Sequence, residues 1–191
     1  MCKFVKRLPF APMVQSPGFT AIELLVSIAI LAILASLAAP SFTDSIKRYR
    51  IAAVRDDLMS SIQFARTEAI RRGVAVSLRR TTTCSPATTD DWNCGWEIFV
   101  DRNANGTRNV NANAALDDTL LQVSVVPPGY DVVHPGNGAS LIVNVWGQAQ
   151  GVGRRFVITP SADGVSSPST TTICINSGGR IRKLTGDATC T

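Results

Sequence analysis

Pro17-Gly18-Phe19-Thr20-Ala21-Ile22-Glu23-Leu24-Leu25-Val26-Ser27-Ile28-Ala29-Ile30-Leu31-Ala32-Ile33-Leu34-Ala35 is the stretch from which the rest of the chain can be read. From Phe19 to Ala39 the apolar run is interrupted only by Thr20, Glu23, Ser27 and Ser36. As a helix, its roughly 21 residues would extend about 31 Å at 1.5 Å per residue, which matches a bilayer core. The expectation is therefore a transmembrane and assembly helix over residues 19–40. Ahead of it, residues 1–18 carry Lys3, Lys6 and Arg7 and no acid, as a short basic leader does. A secretory signal peptide is the competing reading, and Ser36-Leu37-Ala38 offers it a small-x-small cleavage site. The length of the run, the carboxylate at Glu23 and a helical pattern that continues beyond Pro40 count against it.

Glu23 is the most informative residue of this segment. An unpaired carboxylate in hydrocarbon costs several kcal/mol and demands a partner or a proton. A cut between Gly18 and Phe19 would create an α-amino group one helical turn away, at i and i+4. In an assembly of such helices the amine of one subunit can neutralise the carboxylate of its neighbour. The whole stretch from Pro17 to Ala35 resembles the prepilin processing motif of type IV pilins and type II secretion pseudopilins. That resemblance implies cleavage after Gly18 by a prepilin peptidase, N-methylation of Phe19, a role for Glu23 in assembly, and Pro40 at a position where pilins often kink. It also implies an inner-membrane, single-pass protein with a periplasmic head, built with other pilins or pseudopilins into a pilus or pseudopilus. The fold class expected is α+β: a type IV pilin fold whose long N-terminal helix, half transmembrane and half amphipathic, packs on a mainly antiparallel β-sheet head.

Beyond Pro40, Ile51, Val54, Leu58, Ile62, Ala65 and Ala69 recur every three or four residues, the period of one helix face. An amphipathic helix over 41–73 follows, with Gly73 as the stop signal. From residue 74 the texture becomes short β-prone runs between Gly, Pro, Asn and Ser clusters. Strands are expected at Val74–Arg80, Trp96–Asp101, Thr119–Val126, Ser140–Trp146, Arg155–Pro160, Thr171–Asn176 and Arg180–Leu184, giving a β-rich head over 74–191. The Asn- and Ala-rich connector from Arg102 to Asp118 reads as an exposed, mobile loop.

Charge and cysteines bound the function. The net charge of +5 falls to +2 once residues 1–18 are set aside, so bulk charge makes the remainder no general binder of polyanions. Cys2 belongs to the leader, whereas Cys84, Cys94, Cys174 and Cys190 form an even set. Four cysteines permit three pairings. Cys84 with Cys94 and Cys174 with Cys190 are favoured, because each pair closes a short loop rich in polar residues. Zinc is the rival account, but the spacings are not C-x-x-C-like and the one histidine, His134, is remote in sequence. No metal and no cofactor is expected.

Two further segments invite a functional reading. Asp101-Arg102-Asn103-Ala104-Asn105-Gly106 has the opening of a calcium loop, but position twelve would be Ala112, which supplies no carboxylate. A β-turn is the better account, and similar D-x-N-x-N-G stretches occur in heads of the FimT and GspH type. Gly178-Gly179-Arg180-Ile181-Arg182-Lys183 lies between Cys174 and Cys190, so a disulfide would present three cations on a constrained hairpin. Alternation would place Arg180 and Arg182 on one face of a strand. Such cations engage phosphates without reading bases; they also serve as charges that protect a solvated edge strand. Gly179-Arg180-Ile181-Arg182 resembles the G-R-x-R element of FimT-type minor pilins implicated in DNA uptake. The resemblance implies phosphate contacts by Arg180 and Arg182, with Lys183 as helper and double-stranded DNA as a partner bound without sequence specificity.

No catalytic constellation is present in the sequence, and no enzyme is expected. Trp92, Trp96 and Trp146 read as core or loop anchors, and His134 as a turn residue. The resemblance points to a minor type IV pilin of the FimT/FimU kind that takes part in assembly and binds DNA for uptake. The alternative is a GspH-like minor pseudopilin of a type II secretion system. A soluble periplasmic binding protein with a signal peptide is the third reading.

Overall fold

The chain's architecture was obtained as a computed structural model, which describes residues 18–82, 84, 87–110, 117–136, 138–151 and 154–190, the side chains of 37–41 excepted. Helix α1 runs over Ala21–Arg72. Eight strands follow: β1 (Val76–Arg80), β2 (Trp96–Val100), β3 (Leu120–Ser124), β4 (Tyr130–Val133), β5 (Ser140–Val143), β6 (Arg154–Pro160), β7 (Thr171–Ile175) and β8 (Ile181–Thr185). The chain divides into two compact units, Met1–Phe42 and Thr43–Thr191.

In the first unit, the helix begins two residues later than the apolar run because Thr20 caps it. The Thr20 hydroxyl accepts the amide N–H of Glu23 at 3.3 Å, placing Glu23 in the first turn, where the helix dipole favours a negative charge. Ser27 and Ser36 donate to the carbonyls of Glu23 and Ile33 at 2.7 Å each, so both hydroxyls are satisfied by the helix itself. The apolar side chains from Ile22 to Leu34 are exposed.

Two expectations are corrected here. Among the described residues no helix is long and apolar enough to cross a membrane. The transmembrane half of the expected fold is therefore not found, and the single-pass inner-membrane placement that rested on it is corrected with it. The side chain of Pro40, and the leader up to residue 17, lie outside the described residues.

The second unit is built on the helical stripe. Ile51, Val54, Leu58, Ile62, Ala65 and Ala69 are each at most 5 % exposed, and they form one core with residues of both sheets. There are two sheets rather than one. The first has the order β3-β2-β1-β5 and the second β4-β6-β7-β8, with every pairing antiparallel. Trp96, at the start of β2, is buried against the helix and donates its indole N–H to the Ser61 hydroxyl at 2.9 Å. Across the chain, Lys47 meets Asp163 at 2.8 Å in the turn between β6 and β7, and that hydrogen bond raises the lysine's pKa.

β4 is the strand the sequence does not announce. It is four residues long, follows Pro127-Pro128-Gly129 and carries Asp131, so it lacks the run length that marks a strand. It pairs with β6 from Tyr130↔Pro160 to Val133↔Val157 and leads directly into His134. That residue is not a turn residue on the surface but is fully buried. Its ring stacks on Phe156 at 4.0 Å and meets Trp92 edge-on at 5.6 Å. Nδ1 lies 2.6 Å from the Arg155 carbonyl, which fixes the proton there in the neutral ring.

Burial pushes His134 down to about 4, against an opposing contribution from the Arg155 carbonyl. The histidine is thus neutral when folded and takes a proton near 6.5 when unfolded. Its contribution is fully present above pH 6.5 and disappears as the pH falls through the folded value. Urea unfolding between pH 8 and pH 4 is expected to show a loss approaching about 3 kcal/mol from this residue. In His134→Gln that part of the pH dependence is absent; an unchanged profile in the variant would assign the loss to other groups.

Candidate functional site

The hairpin between β7 and β8 is held from three sides. In β7, one residue before the strand ends, Cys174 is joined to Cys190 with Cα atoms 5.5 Å apart. Cys84 and Cys94 form the other disulfide, at 5.4 Å, so both pairings are the local ones. At the tip, Asn176 accepts the Arg180 amide through its side chain at 2.7 Å, and its own amide donates to the Arg180 carbonyl at 3.2 Å.

The third hold is Arg66, from the helix. Its Nε donates to the Gly147 carbonyl at 2.8 Å, and its terminal nitrogens donate to the carbonyls of Gly179 at 2.7 Å and Gly178 at 3.3 Å. One planar guanidinium thereby ties the turn after β5 to the turn before β8. Gly179 is required for this. Its φ is +78°, and a Cβ there would lie 2.5 Å from the Arg66 guanidinium.

The cations expected to act together are distributed rather than stacked. Arg180 precedes β8, in the turn, and is exposed. In β8 Arg182 is paired with Cys174 and Lys183 with Ile173. Ile173 is a core residue, so Lys183 projects to the helix side, where it lines a groove with Arg48 and Arg55. Arg182 projects to the opposite face. Arg155 is engaged by Asp187 at 3.0 Å and by the Ala188 carbonyl, and Arg154 donates to the Gln150 carbonyl at 2.8 Å. Neither arginine joins the tip through these contacts.

The segment after β2 is no cation site. Asp101 is fully buried, and its carboxylate accepts the Ser77 hydroxyl at 2.7 Å and the amides of Gly106 at 2.7 Å and Asn105 at 3.1 Å. Asn103 and Asn105 accept the amides of residues 105 and 107. Oxygens that a calcium ion would need are spent on backbone donors. Asp118, at the end of the connector read from sequence as an exposed loop, is 3 % exposed and accepts the amides of Arg102 and Asn109. Ala112 lies outside the described residues. No group of three or more His, Cys, Asp or Glu among the described residues is placed to hold a metal ion.

Of the three tryptophans read as core or loop anchors, Trp92 and Trp96 are in the core, whereas Trp146, expected at the end of a strand, is 77 % exposed on a turn beyond β5, where the Asn144 side chain accepts the amides of residues 146 and 148. The only sequence signal was the Asn-x-Trp-Gly turn chemistry of Asn144 to Gly147. Arg66 had none, since one arginine among many on the polar flank of a helix looks like the rest.

With this geometry in hand, comparison with known proteins decides the family. Residues 55–189 match the family model described as Type II transport protein GspH. The chain belongs to the GspH family. Residues 15–39 match the prokaryotic N-terminal methylation motif, a span that contains Gly18, Phe19 and Glu23. Gly18 and Phe19 are exposed. Among solved structures, two crystal forms of the type IV minor pilin FimU from Pseudomonas aeruginosa align at TM-scores of 0.53 and 0.54 with 18% identity. They cover 73% and 76% of this chain and 99% and 98% of their own. That likeness is one of fold. The minor pseudopilin EpsH of the Vibrio cholerae type 2 secretion system aligns at 0.47 with 11% identity, over 71% of this chain and 97% of its own, and nothing is drawn from it. No curated protein matches the chain.

In this GspH-family head the Arg66 clamp is expected to be separable from the core. Arg66→Ala leaves three carbonyls without their donor and should cost about 1–3 kcal/mol in urea unfolding. Amide exchange should rise in the two turns 144–148 and 176–180 while the strands behind them stay protected. Equal protection of those turns in the variant would show that the guanidinium does not hold them.

Proposed function

We propose that this GspH-family chain is a minor subunit of a type IV pilus, incorporated with other pilins, and that its β7–β8 hairpin binds DNA. The supporting observation is the hairpin itself: a disulfide, an asparagine turn and the Arg66 clamp fix Arg180 in an exposed position with Arg182 two residues on. Backbone phosphates are the fitting ligand, because guanidinium forks meet phosphate oxygens well and need no base sequence. Lys183, on the other face, contributes long-range attraction rather than a contact shared with Arg182. At the other end, a prepilin peptidase cuts after Gly18 and methylates Phe19. Glu23 then pairs with the amine of a neighbouring subunit and sets register. The matching family, described as a type II transport protein, favours a second reading, a minor pseudopilin in a type II secretion system.

Binding of duplex DNA by the full chain should weaken steeply with salt. Arg180→Ala with Arg182→Ala should remove most of the binding and make the slope of log K against log salt shallower by about 2. Equal binding by both proteins, or none by either, would leave the pseudopilin reading as the better account. Mass spectrometry of the protein from producing cells should find a methylated Phe19 at the N-terminus. A chain beginning near Ala39 would instead mark a cleaved signal peptide and remove the filament role of Glu23.

A further inference from the structure

We infer that the tip of the head around Trp146 is a stacking platform for single-stranded nucleic acid, with Arg180 holding the adjoining phosphate. This deepens the DNA-binding reading and rests on it.

The inference comes from what Arg66 joins. Its guanidinium is bonded to the Gly147 carbonyl on one side and to the Gly179 carbonyl on the other. Trp146 is the residue next to the first and Arg180 the residue next to the second, so by backbone spacing their Cα atoms lie within about 16 Å. Both side chains are exposed, and Arg180 makes no side-chain hydrogen bond or ion pair with the described residues. Gly178 and Gly179 put no side chain between them.

An indole exposed to 77 % is costly to leave in water, and it has apolar company. Ile70 is 57 % exposed, one helical turn beyond Arg66, and its Cδ1 packs within 2.8 Å of where a Gly147 Cβ would stand. Val145 is exposed as well. Around this patch the charge is positive. Trp146 shares a pocket with Gly73 and Val74, just past the helix end that carries Arg71 and Arg72, and with Arg102. The helix-end acid, Glu68, is held by Arg71 and Arg72, whose hydrogen bonds bring it down to about 2. An exposed aromatic face with Arg102 in its pocket and Arg66 bonded to the next residue suits a polyanion that also offers flat apolar faces.

That description selects the strand state of the ligand. In a duplex the base faces are covered by their neighbours, and only phosphates and edges are offered. In a single strand the faces are free to lie on an aromatic side chain, and stacking there tolerates any sequence. A second subunit of the filament could also cover an apolar patch, but the surplus of arginine favours the polyanion.

The test uses the full chain and two probes, oligothymidylate and a duplex of equal length, across a salt series. Trp92 and Trp96 are buried, so quenching of tryptophan fluorescence reports on Trp146. Oligothymidylate should quench it and bind more tightly than the duplex. Trp146→Ala should weaken oligothymidylate binding roughly 5- to 100-fold and leave the duplex little changed, and Trp146→Phe should restore most of the loss. Because Trp146 is exposed, these variants keep the core. Salt-sensitive binding that depends on Arg180 but is indifferent to Trp146 and to strand state would overturn the platform while the DNA-binding reading survives. Absence of any binding at low salt would overturn both. A change in self-association alone on Trp146→Ala would also overturn it, assigning the patch to a subunit contact.

Discussion

The second unit depends on one constraint, the burial of a single helical stripe between two sheets. From Ile51 to Ala69 the apolar side chains repeat at helical spacing, and none is more than 5 % exposed. Burying one such Ile or Leu side chain contributes about 1.5–3 kcal/mol, so the stripe is a main source of the head's stability. Its direction also determines which polar residues of the helix can reach the sheets. Ser61, within the buried face, meets the Trp96 indole. Arg66, one position after Ala65, lies on the flank, where its long stem carries the guanidinium past the core edge to two separate turns. The candidate site is thus a consequence of helix phase. A shift of one residue in the stripe would carry Arg66 about 100° around the axis, and the two turns would lose their common donor.

Much of this was legible in the sequence, because periodicity reports burial. The six stripe residues, the helix end before Gly73 and seven of the eight strand positions follow from the alternation of apolar and polar residues. Where the signal was short or depended on distant partners, the reading failed. β4 has four residues behind a Pro-Pro-Gly turn and owes its existence to pairing with β6. His134 is in the core because Phe156 and Trp92 provide ring faces, and no local pattern encodes that. Asp118 organises a loop from sixteen residues beyond Arg102. The membrane-crossing expectation is not met among the described residues, and the Thr20 cap sets the start of the helix at Ala21 rather than at Phe19.

The candidate site was legible only as a list of residue types. Gly179, Arg180, Arg182 and Lys183 stand together in the sequence, and a strand separates them. β8 is the outer strand of its sheet, and its register with β7 sends Lys183 toward the helix and Arg182 away from it, while Arg180 remains in the turn. A ligand lying flat on either face of the sheet would meet Arg182 or Lys183 but not both. One that runs along the exposed edge passes all three, and at the tip it comes to Trp146 by way of the Arg66 clamp. Chain-like anions with a charge at every repeat fit such an edge better than compact ones. A duplex of fixed width would contact the edge with one backbone and leave the indole unused. On the proposed reading, the separation of the cations, which at first weakens the simple picture of a basic face, is what would favour an extended, flexible strand.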